Sequence, residues 1–174
     1  MGKTQISIKC IIAICCIFCF GCANQLNKIY DYKPVEYGFN AGKFGAKLMG
    51  TFTKTKNETI KGSPYELFMW FESNQKIDGS VIVERLELFD KKTKEVLFHE
   101  NAGLKKTFTK KSDKMFRAYF SFKDIDLKYS SYILLLSYKI KTENSLIDEL
   151  IKLEFEKDYK EYRSNKYWQR IMGV

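Results

Sequence analysis

Alternation of apolar and polar residues is the feature that most constrains the fold of this chain. It is cleanest in ELIKLEFEKDY, residues 149–159, where Ile151, Leu153 and Phe155 are separated by charged residues. Successive side chains of a β-strand point to opposite faces of its sheet, so this segment is predicted to be a strand with one face in a hydrophobic core. Further strands are predicted at residues 43–53, 63–73, 80–90, 115–122 and 131–142.

The segments between these strands are short and polar. Residues 90–94 and 112–113 are predicted to be hairpin turns, and the first of them adds a strand before residue 100. Residues 63–73 are almost continuously apolar, which predicts a strand covered on both faces. A single helical turn is expected at residues 144–150, and no other part of the chain after the first 25 residues shows a helical period.

Seven or eight short strands without intervening helices predict an all-β fold. We expect an antiparallel β-sandwich, immunoglobulin-like or similar, with a small β-barrel as the alternative. In immunoglobulin-like sandwiches, a tyrosine at the start of a late strand donates a hydrogen bond to the backbone a few residues upstream. Tyr129 or Tyr132, in DIDLKYSSYILLLSY, is predicted to form this tyrosine corner.

The five cysteines of the chain all lie within its first 22 residues. Residues 1–9 carry Lys3 and Lys9 without an acidic residue, and the apolar stretch CIIAICCIFCFG follows at residues 10–21. A basic start, a short apolar segment and a small residue at its end are typical of a secretory signal peptide. The apolar stretch is shorter than the roughly 20 residues that a membrane-spanning helix needs. Residues 1–21 are therefore predicted to be a cleaved export signal.

The dipeptide Gly21-Cys22 at the end of this signal resembles the lipobox of bacterial lipoproteins, in which a small residue precedes the cysteine that is lipidated. The resemblance implies that Cys22 receives a diacylglycerol, becomes the new amino terminus and is then acylated. Several acyl chains on one residue give stable membrane anchoring. Ala23, rather than an aspartate, follows the cysteine, which in this class implies the outer membrane, facing the periplasm. The cell surface is the alternative location.

Removal of residues 1–21 leaves 28 basic and 21 acidic side chains, a net charge of +7, because Lys3 and Lys9 leave with the signal. The remaining 153 residues suffice for one domain with a core. Residues 22–42 are predicted to be a tether from Cys22, part of which packs on the body because it contains three tyrosines, and residues 43–174 to be a single sandwich domain. The basic residues are interleaved with acids, so we predict a solvated surface and no nucleic-acid partner.

Nothing in the sequence predicts catalysis. His99 is the only histidine, and the folded part has no cysteine to complete a metal site. Asp124 and Asp126 could pair as glycosidase carboxylates, but acids two residues apart in a turn are more simply solvated or capping. No catalytic motif accompanies them. The chain is therefore predicted to be no enzyme and to bind neither a cofactor nor a metal.

Two segments are candidates for binding. Residues 105–114 hold five lysines, which we interpret as charge that protects a sheet edge. The C-terminal segment, residues 157–174, interleaves aromatic with basic residues, the types enriched in interface hot spots. An alternative is that this segment continues the last strand and docks on the sandwich. The predicted partner-binding residues are Tyr162, Arg163, Tyr167, Trp168 and Arg170.

The sequence thus predicts a lipid-anchored envelope protein whose partners are the membrane, through acyl chains on Cys22, and another envelope protein. Its expected role is a non-enzymatic protein-binding or scaffold module: an accessory or assembly subunit, or an immunity-type inhibitor. A carrier or sensor of a hydrophobic ligand is the alternative and would need an internal cavity. An enzyme acting on cell-wall or lipid substrates is the least favoured hypothesis.

Overall fold

The computed structural model of the protein describes residues 24–40, 42–100, 103–142 and 145–165. These residues form twelve strands and no helix. Across the described ranges, nothing helical has the length and hydrophobicity to cross a membrane. The strands are β1 (Asn24–Tyr32), β2 (Val35–Phe39), β3 (Gly42–Lys54), β4 (Glu58–Ser73), β5 (Gly79–Asp90), β6 (Val96–Glu100), β7 (Leu104–Thr107), β8 (Thr109–Ser112), β9 (Met115–Ile125), β10 (Tyr132–Thr142), β11 (Leu146–Phe155) and β12 (Lys157–Asn165).

The strands form two sheets, which confirms the predicted β-sandwich. The larger sheet has the order β12-β1-β4-β3-β2, with β9 beside the second half of β4 and β8 outside β9. The smaller sheet has the order β11-β10-β5, and β6 and β7 lie beside opposite halves of β5. All pairs are antiparallel except β1 with β4. The sheets do not close into the small barrel that was the alternative.

Aromatic rings fill the space between the sheets. Phe71 of β4 is fully buried and lies 4.8–6.3 Å, ring centre to ring centre, from Phe39, Phe44, Phe120 and Tyr138. The predicted inward faces are confirmed in β3, β10 and β11, where apolar residues at alternate positions are buried. Contacts between large rings from both sheets therefore hold the sandwich together.

The tyrosine corner is confirmed at Tyr132. Its hydroxyl donates a hydrogen bond to the backbone oxygen of Lys128, four residues upstream. Tyr129, the other candidate, packs instead against Tyr30 and Tyr32 at 5.1 and 5.4 Å. The corner fixes the entry of the chain into β10, the central strand of the smaller sheet.

The predicted tether is wrong for the described part of residues 22–42. Residues 24–32 form β1, which lies inside the larger sheet between β12 and β4, and residues 35–39 form β2 at its opposite side. Tyr32 is almost fully buried in the core. The sequence does not show the apolar alternation of a buried strand here, because Gln25, Asn27 and Asp31, on the other face of β1, are polar yet buried. Residues 1–23, including Cys22, lie outside the described residues.

Three smaller predictions need correction. Seven or eight strands were expected and the described residues contain twelve, because short strands such as β7 and β8 give too little pattern. The helical turn at residues 144–150 is wrong, since β11 begins at Leu146. Residues 63–73 have one face in the core, but the other face carries Phe68 and Trp70, which are only half-buried.

Both predicted hairpin turns are confirmed. The amide of Asp90 donates to the backbone oxygen of Glu95, and that of Lys94 donates to the backbone oxygen of Asp90. Lys94 has a positive φ of 64°, which closes the turn tightly. At the second turn, Ser112 ends β8 and pairs with Met115 of β9, and residues 113–114 form the turn between them.

Candidate functional site

Two of the five predicted partner-binding residues lie on β12, at one edge of the larger sheet. Tyr162 is 48% exposed, and its neighbour Arg163 is exposed as well. Because they are adjacent in a strand, their side chains point to opposite faces of the sheet. Tyr167, Trp168 and Arg170 lie outside the described residues. Residues 157–165 form a strand, but it does not continue β11, because β12 joins the larger sheet while β11 belongs to the smaller one.

Pairing with β1 holds β12 in place over its whole length. The register runs without interruption from Asn24 opposite Asn165 to Tyr32 opposite Lys157. The buried side-chain amide of Asn27 strengthens the pairing by donating to the hydroxyl of Ser164 at 2.7 Å. Within the described residues no strand pairs with the other side of β12. In the described part of the chain, β12 therefore lies at an open edge of the larger sheet.

Four polar contacts fix β1 against β4 and β3. The side-chain amide of Gln25 donates to the hydroxyl of Thr59 at 2.6 Å, and Lys28 forms an ion pair with Glu58 at 2.7 Å. Deeper in the sheet, Asp31 forms an ion pair with Lys61 and accepts the backbone N–H of Gly50 at 2.9 Å. The contacts of Gln25 and Asp31 satisfy polar side chains on one face of β1, and the ion pair of Lys28 lies on the other face.

A line of tyrosines connects the core with the surface beside β12. Tyr32 lies 5.4 Å from Tyr129, Tyr129 lies 5.1 Å from Tyr30, and Tyr30 lies 5.0 Å from Tyr159 of β12. Tyr159 is 45% exposed and donates its hydroxyl proton to Glu161. This hydrogen bond raises the pKa of Tyr159. The aromatic line thus connects β12 to the core and leaves the ring of Tyr159 half-exposed beside the sheet edge.

The charges of β12 alternate in sign along the strand. Lys157 is followed by Asp158, Lys160 by Glu161, and Arg163 comes last. The lysine-rich residues 105–114 differ, since β7 and β8 hold four lysines and no acid, and Asp113 and Lys114 follow in the turn after β8. In the described part of the chain, β7 pairs only with β5 and β8 only with β9, so both lie at sheet edges. Uniform positive charge there is the expected protection of an edge, whereas β12 lacks that protection.

An aromatic patch on the outer face of the larger sheet was missed by the sequence analysis. Phe68 lies 6.1 Å from Tyr119, and Trp70 lies across the sheet from the same tyrosine. Gly45 leaves room for Trp70, because a Cβ atom at Gly45 would overlap the indole ring. The glycine among the apolar residues of β3 was the available signal for a ring packed flat on the sheet.

The residues considered for catalysis are dispersed. His99 is exposed on β6 opposite Glu87. Asp126 accepts the hydroxyl of Ser63 at 2.5 Å, at the rim of an open cleft of about 630 Å³ between the turns. Asp90 in the same cleft accepts the hydroxyl of Ser130 at 2.6 Å, and this hydrogen bond lowers the pKa of Asp90. The carboxylate of Asp90 is therefore engaged in a structural hydrogen bond beside the turn.

No group of three or more histidine, cysteine, aspartate or glutamate side chains in the described ranges could hold a metal ion.

Comparison with known proteins gives no relative. No protein-family model matches the chain, and no curated protein or solved structure is significantly similar to it. The geometry of the site therefore carries the functional argument.

Proposed function

We propose that this chain is a lipid-anchored protein of the bacterial envelope that binds a protein partner along the open edge of β12. Acyl chains on Cys22 hold it in the membrane, most simply the outer membrane facing the periplasm. It acts as a non-enzymatic binding or scaffold module. The resemblance of residues 1–22 to lipoprotein signals supports the anchor, and the position of β12 at the sheet edge supports the binding site.

The observation that carries the binding proposal is a nine-residue strand that pairs on one side only in the described structure. An open edge offers unpaired backbone N–H and C=O groups to an incoming strand, a recurring mode of protein recognition. Tyr159 and Tyr162, both about half-exposed, flank this edge on the two faces of the sheet. Half-exposed aromatic rings beside free backbone groups supply both affinity and specificity.

Packing of the core favours a binding module over the alternative of a ligand carrier. A carrier needs internal space for its ligand, whereas Phe44, Phe71 and Tyr138 are fully buried and in ring contact. Contacts at these separations are those of a filled core.

Two measurements test this proposal. The intact mass of protein extracted with detergent from its own cells should equal residues 22–174 plus a diacylglycerol and an amide-linked acyl chain. A Cys22→Ala variant should lack both lipids. A full-length or unlipidated wild-type mass would overturn the anchor.

The binding site is tested by in-cell photocrosslinking. A benzophenone amino acid is placed at Tyr162 on β12 or, as a control, at Leu150, which is 66% exposed on β11, an edge strand of the other sheet whose one aromatic residue, Phe155, is buried. We expect a crosslinked protein from position 162 and none from position 150. Equal capture from both positions, or none from position 162, would contradict the proposal.

A further inference from the structure

We propose that the partner strand at the β12 edge is β12 of a second copy of this chain, paired antiparallel about a two-fold axis at Tyr162. This inference rests on the proposed function, because it names the partner of the same edge. It is drawn from the order of charges about Tyr162, where opposite charges lie at equal distances on either side.

Symmetry restricts the possible pairings. Two antiparallel strands related by a two-fold axis must share an axis perpendicular to the sheet, and that rotation leaves each face of the sheet on the same side. Residues directly opposite each other must therefore come from the same face of β12, an even number of positions apart. Each allowed register is thus centred on one residue, which lies opposite its own copy.

The register centred on Tyr162 places opposite charges together. Tyr162 faces its own copy, and Glu161 of each chain faces Arg163 of the other, twice by symmetry. Lys160 faces Ser164, and Tyr159 faces Asn165. Opposite charges and paired aromatic rings at directly facing positions stabilise antiparallel strands. This register uses residues 159–165 of both copies, so seven residues of each strand take part.

Neighbouring registers are disfavoured by charge. Centring on Glu161 places that carboxylate opposite its own copy. Centring on Lys160 places its ammonium group opposite its own copy and also places Lys157 opposite Arg163. Like charges directly opposite each other destabilise a strand pair. Centring on Tyr159 gives favourable charges but engages only residues 157–161, because β12 begins at Lys157.

The lysine-bearing edge strand β8 lacks this property. In β8 the only charged residues are Lys110 and Lys111, so any self-pairing of that strand brings lysines together. Arg163 and Glu161 of β12, by contrast, lie on the same face two residues apart, the spacing that a two-fold pairing about Tyr162 requires.

Disulfide trapping in the full chain tests the register. A residue on the two-fold axis lies opposite itself at a Cα separation of about 4.5–5.5 Å, within the range that a disulfide bridges. The Tyr162→Cys variant should therefore form a reducible dimer in cells, identified by a disulfide-linked pair of peptides that both contain position 162. Lys160→Cys is the matched control on the same face, because its two copies would be offset by about 13 Å along the strands.

Charge exchange gives a second, cysteine-independent test in detergent solution. Glu161→Arg and Arg163→Glu should each weaken dimerisation about tenfold, because each places like charges opposite each other twice. Mixing the two variants should restore the dimer, since every facing pair is then opposite in charge. The same charge changes on the other sheet, Glu154→Arg and Lys152→Glu of β11, should leave dimerisation unchanged.

Each result separates this inference from the proposed function. A disulfide-linked dimer of Tyr162→Cys, together with a dimer restored by mixing the two charge variants, supports both the self-pairing and the proposed function. Photocrosslinking from position 162 to a different protein, without a dimer of the Tyr162→Cys variant, keeps the proposed function and overturns the self-pairing. Only intrachain crosslinks from position 162 would show that another segment of the same chain covers the edge and would overturn both. Equal trapping at positions 160 and 162 would indicate random collision and overturn the register.

Discussion

Replacement of Asp31 by alanine should destabilise the protein strongly, although Asp31 lies in a segment that the sequence presents as a tether. Its carboxylate forms an ion pair with Lys61, and the two side chains are only 13% and 12% exposed. One carboxylate oxygen also accepts the backbone N–H of Gly50 at 2.9 Å. Asp31 therefore joins β1 to both β3 and β4.

The magnitude follows from what the substitution leaves behind. Removing one partner of a buried ion pair costs about 3–5 kcal/mol, because the other charge stays buried without compensation. Some remaining solvent contact of Lys61 reduces that figure, while the loss of the acceptor for Gly50 adds roughly 1 kcal/mol. We expect Asp31→Ala to lower the free energy of unfolding by about 3 kcal/mol, a large part of the ~5–15 kcal/mol typical of a domain.

Urea unfolding followed by tryptophan fluorescence measures this loss. Glu154→Ala is the control, since it breaks the Lys91–Glu154 ion pair, whose side chains are 50% and 46% exposed. An exposed pair contributes less than about 1 kcal/mol. Hydrogen exchange should also show faster exchange in β1 and β12 of Asp31→Ala. If Asp31→Ala cost no more than Glu154→Ala, the argument that this ion pair anchors β1 would be refuted.

Three further predictions concern single side chains. Tyr132→Phe removes the hydrogen bond to Lys128 and should lower the free energy of unfolding by about 1 kcal/mol, with unchanged circular dichroism as the control for fold. Burial raises the pKa of Tyr132 from 10.0 to about 12. Because the unfolded chain then loses this proton at a lower pH than the folded protein, the free energy of unfolding should fall between pH 10 and 12. Unfolding curves measured at stepped pH should show a smaller fall of this free energy in Tyr132→Phe. Gly45→Ala places a methyl group against the Trp70 ring and should cost about 1–3 kcal/mol and shift tryptophan emission to the red; an unchanged spectrum would show that the ring does not lie over Gly45.

Much of the sandwich was predictable because its strands alternate locally. Ile151, Leu153 and Phe155 show their shared face without reference to any other part of the chain, and the structure places that face inward. Tyr132 is predictable as the tyrosine corner because a polar loop precedes the clearly alternating residues of β10. Both predictions depend on residues within about ten positions of each other, the range over which a strand pattern is visible.

The candidate site was predictable only in part. The segment that contains Tyr162 and Arg163 was recognised from its aromatic and basic residues, but its place at the edge of the larger sheet was not. That place depends on β1, whose polar residues are buried only because distant residues satisfy them. Gln25 is satisfied by Thr59, 34 residues away in sequence.

The sequence by itself thus determined the all-β class, the inward faces of the long strands and the resemblance of Cys22 to a lipidation site. Tertiary structure decided that residues 24–32 lie inside a sheet and that β12 is an edge strand of that sheet within the described residues. The physical reason is that alternation is a local property of a strand. The burial of a polar side chain such as Asp31 depends on a partner, Lys61, brought to it from 30 residues away by the fold.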